Sequence, residues 1–89
     1  MDYDKDKVDE AVLGLLWLTL HDVDEYGGGR AWKGHDWEVM NRLHAKGLIS
    51  DPRSKSKSVV LSAEAIDEAE QAFKKLFGSS KTKRPASSD

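Results

Sequence analysis

Three stretches of the chain repeat their apolar residues at helical spacing. In the first, Val8, Val12, Leu15, Leu16 and Thr19 follow a 3.6-residue period, and Ala11, Leu13, Trp17, Leu18 and Leu20 add apolar surface at other angles. The spacing predicts a helix over Asp4–Leu20 whose second half is apolar on most sides. Such a helix is either the centre of a small core or is shared with another subunit. Asp4, Asp6, Asp9 and Glu10 lie near its start, where the helix dipole favours negative charge. Gly14 interrupts the run at a cost of about 1 kcal/mol relative to Ala, which is accounted for if another helix comes close there. In the second stretch, Trp37, Met40, Leu43 or His44, and Leu48 form the inward face of a helix over Asp36–Lys46. Asp36 suits its N-cap and Gly47 its left-handed C′ position. Glu38, Asn41, Arg42 and Ala45 point the other way, with Glu38 and Arg42 an i,i+4 pair. In the third, Ile66, Ala69, Phe73, Leu76 and Phe77 define a helix that opens at Ser62, a good N-cap, and ends at Gly78. Asp67, Glu68, Glu70, Lys74 and Lys75 fill its solvent side.

Between the helices the period changes. Residues 21–34 contain Gly27, Gly28 and Gly29, which break any helix, so a mobile loop is expected, with Trp32 docked back on the core. Leu48 and Ile49 begin a short strand that Asp51-Pro52 ends, because proline cannot donate to a ladder. Arg53–Ser58 is a polar turn, and Val59, Val60 and Leu61 form the returning strand. The expected fold is mainly α (α+β). Three helices carry a two-stranded β-hairpin between helix 2 and helix 3, over residues 1–78. Residues 79–89 lack periodicity and apolar content and are expected to be a disordered tail.

The order helix, helix, strand, basic turn, strand, helix resembles the C-terminal two thirds of a winged-helix domain, and the wording is similar to MarR- and PadR-type regulators. Leu43, Lys46, Gly47, Leu48 and Ile49 match a phrase L-x-x-K-G-L-I after the recognition helix, and Val59, Val60, Leu61 and Ser62 match V-x-L-T at the next helix. The resemblance implies a DNA-binding scaffold in which the hairpin is the wing. This chain departs from it in having a glycine-rich segment where the middle, bracing helix would stand. Residues 1–77 also resemble a family of small uncharacterised bacterial proteins with a D-Y-D-x-D-K-V-D-E start, here Asp2–Glu10, and an R-A-W-K-G-x-D-W centre, here Arg30–Trp37.

Composition narrows the classes. The 89 residues are 38% hydrophobic and 34% charged, which fits one small soluble domain with a modest core. There is no cysteine, which removes disulfides, thiolate zinc sites and thiol catalysis. The acidic start is unlike a signal peptide, and the apolar run Val12–Leu20 is too short to span a bilayer, so a cytoplasmic protein off the membrane is expected. Residues 1–29 hold eight acids against two lysines, whereas residues 30–89 hold twelve Lys/Arg against eight acids. The basic excess therefore lies in the half with the turn, although the whole-chain pI of about 5.9 is low for a dedicated DNA binder.

Two functional readings follow. In one, Asn41, Arg42 and Lys46 on helix 2 and Arg53, Lys55 and Lys57 on the turn contact double-stranded DNA, with Asn41 and Arg42 suited to base edges and the turn cations to phosphates. In the other, the scaffold is an interaction and dimerisation module without DNA binding. Trp17 and Trp32 then contact a protein partner, and the apolar part of helix 1 pairs two copies as a homodimer. His21, His35 and His44 match no zinc spacing, and the triple glycine lacks the strand and helix context of a phosphate loop. No nucleophile is paired with a base, so neither a metal, a cofactor nor an enzymatic activity is expected.

Overall fold

The computed structural model describes residues 1–78. The expected tail, 79–89, lies outside the described residues. Helix α1 spans Lys5–Leu18, and the Asp4 carboxylate accepts from the Lys7 N–H at 3.1 Å to cap it. Helix α2 spans Trp37–Ala45, capped by Asp36 and closed at Gly47, whose φ of +78° suits a residue without a Cβ. Helix α3 spans Ala63–Phe77, with the Ser62 hydroxyl accepting from the Ala65 N–H at 3.1 Å. Two strands, β1 (Gly29–Trp32) and β2 (Ser58–Leu61), pair antiparallel with Gly29 opposite Leu61 and Trp32 opposite Ser58. Three helices with a two-stranded antiparallel sheet make an α+β fold, as expected.

The glycine-rich segment, expected as a loop, carries a turn and then strand β1. His21 exchanges two backbone hydrogen bonds with Arg30, at 2.7 and 2.9 Å. The Asp24 carboxylate accepts from the N–H groups of Tyr26 and Gly28, and Gly27 turns with φ +87°. The glycines thus build an Asx-type turn that feeds directly into β1. Leu48 and Ile49, expected as a strand, are not one. The Leu48 N–H closes α2 onto the Leu43 carbonyl at 3.0 Å, and the Ile49 carbonyl meets the His44 ring. The arm after α2 hydrogen-bonds β2 at Ser50, whose N–H donates to the Val60 carbonyl and whose hydroxyl accepts from the Val60 N–H.

The core contains Leu13, Leu16, Val39, Met40, Leu43, Val59 and Leu61, with Ala65, Ala69 and Ala72 of α3. Small residues face the α1–α3 contact, so the helices come close. A Cβ on Gly14 would sit 3.0 Å from the Phe73 Cα, which is the close approach expected of that glycine. The larger apolar residues of α3 are displaced to its flank. Leu76 and Phe77, expected inward, are 36% and 46% exposed. Trp32 and Trp37, also expected inward, are exposed. Strand alternation puts Ala31 inside and Trp32 outside, and Trp37 is the first residue of α2, a turn ahead of the buried Met40.

Candidate functional site

The densest polar cluster joins α1 to α2. Asp9 lies four residues before Leu13 and seven before Leu16, so it shares their inward stripe and is 1% exposed. Its carboxylate accepts from Arg42 Nε at 2.9 Å on both oxygens. Arg42 Nη2 stands 2.7 Å from Oδ1, and Lys46 Nζ donates to Oδ2 at 3.0 Å. Arg42 and Lys46, one helical turn apart, therefore grip a single carboxylate, and Asp6 lies 3.4 Å from the same lysine. Burial opposes ionisation of Asp9, but the bonds from Arg42 and Lys46 outweigh it and hold the carboxyl below its ordinary value. The same bonds raise Arg42 and Lys46 above theirs. The outward placement expected for Arg42 is thus corrected, and no ion pair forms with Glu38 among the described residues.

An open groove of about 510 Å³ adjoins this clasp, lined by Leu13, Leu43 and Leu48 and by Asp6, Lys46 and Lys75 among others. Lys75 reaches Glu10 at 3.2 Å across it.

In the turn, Arg53 is also held by its own chain. Its Nε and Nη2 donate to the two Asp51 oxygens at 3.1 and 3.0 Å, and its backbone N–H to Oδ1 at 2.9 Å. The Arg53 guanidinium draws the Asp51 carboxyl down to about 2. Lys55 and Lys57 are exposed and carry no carboxylate partner among the described residues. Lys33 holds the turn from beneath, its Nζ donating to the Pro52 carbonyl at 2.8 Å and to the Ser54 carbonyl. Asn41 is exposed on α2.

The six residues suggested for DNA contact therefore divide. Arg42, Lys46 and Arg53 are engaged by Asp9 and Asp51, and Asn41, Lys55 and Lys57 face solvent. Sequence reasoning missed Asp9. Its signal was an acid at a core position of the α1 stripe, obscured by reading it as one of the acids at the helix start.

Of the two tryptophans suggested for a partner, Trp17 is half-buried with its ring 5.1 Å from Phe73, which in turn lies 5.4 Å from Phe77. Trp32 is 56% exposed, with the His21 ring 6.0 Å away. Among the described residues, no three His, Cys, Asp or Glu side chains are grouped so as to hold a metal ion, and no helix is long and apolar enough to cross a membrane.

These elements span nearly all of the stretch that a family profile described as "Domain of unknown function (DUF6429)" matches, residues 4–79. The chain belongs to the DUF6429 family. A relative of similar size, "Uncharacterized protein y4hR" of Sinorhizobium fredii (strain NBRC 101917 / NGR234), is 52% identical over 77 residues, which are 86% of this chain and 97% of that protein. No solved structure matches the chain. The DUF6429 description names no activity.

Proposed function

We propose that this DUF6429 protein is a self-associating interaction module on a winged-helix-like scaffold, and that α2 does not read duplex DNA. The observation that carries this reading is the apolar seam between α1 and α3. Trp17, Phe73 and Phe77 pack along it with tilted rings, and Leu18 stands 58% exposed, four residues on from the Gly14 that meets Phe73. Leu15 and Leu76 add partly exposed surface. The occupant is a second copy of this chain. Glu70 and Lys74, which flank Phe73 on α3, pair with each other at 2.8 Å, so a two-fold copy meets no net charge there. The engagement of Arg42, Lys46 and Arg53 supports the second clause, since a duplex-reading surface needs those cations free.

Sedimentation or light scattering tests the reading. The wild type is a dimer at micromolar concentration, and Leu18→Glu and Phe77→Glu each give folded monomers with an unchanged circular-dichroism spectrum. A monomeric wild type removes the proposal. Salt-sensitive duplex binding that falls on Asn41→Ala would restore α2 as a DNA reader.

A further inference from the structure

We infer that the outer face of the sheet binds single-stranded nucleic acid, with Trp32 as the stacking residue. The four outward positions of β1 and β2 are Arg30, Trp32, Ser58 and Val60, set as cross-strand pairs Arg30–Val60 and Trp32–Ser58. None is a carboxylate. Cross-strand neighbours lie about 5 Å apart, so these side chains form one continuous patch. Trp32 is 56% exposed and supported on one side by the His21 ring at 6.0 Å, leaving indole surface open to solvent.

Cations bracket the ring. Arg30 is two residues away on the same face, and the Lys57 carbonyl accepts from the Lys33 N–H at 3.2 Å, fixing Lys57 beside the Trp32–Ser58 end of the ladder. Lys55 extends the line into the turn, with Ser54 and Ser56 as neutral donors. Lys33 is held by turn carbonyls, and so the cations available to phosphate are Arg30, Lys55 and Lys57.

Part of the acidic balance of the chain lies away from this patch, while Asp22, 4.0 Å from His21 Nε2, lies near it. Asp6 and Glu10 sit beside Lys46 and Lys75, at the C-terminal ends of α2 and α3. The sheet is at the other end of α1, where His21 pairs with Arg30, and β2 enters α3 at its start. Fourteen residues of helix separate the two ends by about 21 Å, more than two Debye lengths at physiological salt.

The ligand is a single strand because an exposed ring stacks on the flat face of a base, and that face is open only where bases are unpaired. A duplex would offer this patch phosphates alone. The core of a protein interface is more apolar than its polar rim, and here the outward neighbours of Trp32 on the two strands are Arg30, Ser58 and Val60, with Val60 the one exposed aliphatic residue among them.

The test is fluorescence anisotropy of labelled oligothymidylate and oligouridylate titrated with the full chain, with unlabelled duplex as competitor. The strand binds with an affinity that falls with salt. Trp32→Ala weakens binding by on the order of tenfold or more, Trp32→Phe retains most of it, and Lys55→Ala with Lys57→Ala lowers the salt slope by between one and two. Thermal melts of these surface variants match the wild type. Leu18→Glu binds the strand as the wild type does, which separates this site from the proposed self-association. No saturable binding at low salt, equal binding by Trp32→Ala, or more effective competition by duplex than by unlabelled strand each overturns the inference.

Discussion

At the scale of single residues, the charge of Arg53 is settled within the turn that carries it. Asp51 and Arg53 are two residues apart, and the backbone N–H of Arg53 joins its side chain in bonding the same carboxylate. The folded Asp51 therefore releases its proton at about 2, below the 3.8 of a free aspartate. A depressed carboxylate of this kind favours the folded turn above pH 3.8, and the preference fades as pH falls toward 2. Carbon-detected NMR titration of the Asp51 carboxyl gives a midpoint near 2 in the wild type. In Arg53→Ala the midpoint returns toward the ordinary value; an unchanged midpoint would mean that Arg53 is not the cause. The same residue illustrates what the sequence conceals. RSKSKS reads as three equivalent cations, but Arg53 alone has an acid within reach of its fork, whereas Lys55 and Lys57 do not.

Among the elements, all three helices were legible because caps and periodicity are local. Asp36, Gly47 and Ser62 all occupy the positions that their chemistry suggests. The strand partner of Val59–Leu61 was not legible, because Gly29–Trp32 is short, starts on a glycine and lies across α2 in the chain. Its place is set by tertiary pairing with β2 and by the Asp24 turn rather than by propensity. The reason for Gly14 was foreseen as close helix approach, and it gives a prediction with competing signs. Ala in a helix interior is favoured over Gly by about 1 kcal/mol, so on an exposed face Gly14→Ala would stabilise. Here the added Cβ meets the backbone Cα and N of Phe73 at 3.0 and 3.1 Å, and a backbone cannot swing aside like a side chain. The α1–α3 contact must open, and thermal denaturation of Gly14→Ala shows a lower midpoint than the wild type. A higher midpoint would mean that the helices separate without cost.

For the whole molecule, Asp9 ties α1 to α2, and its electrostatics make a prediction whose sign can be reversed by mutation. In the wild type the bonds from Arg42 and Lys46 hold the folded Asp9 carboxyl below its unfolded value of 3.8. The unfolded chain then takes up the proton first as pH falls, so Asp9 contributes stability above pH 3.8 that is lost under acid. Replacing both cations, as in Arg42→Met with Lys46→Met, leaves burial as the dominant influence on a carboxyl that is 1% exposed. Burial alone raises the folded value above 3.8, and the sign inverts: the group then favours folding under acid and opposes it as pH rises. The gap in melting temperature between wild type and double variant therefore widens between about pH 3 and pH 6, the range in which a raised aspartate titrates. Asp9→Asn in the double-variant background narrows the gap at the upper end, because an amide carries no charge to bury. A gap that stays constant across this range would show that water reaches Asp9 and that the clasp contributes packing rather than charge.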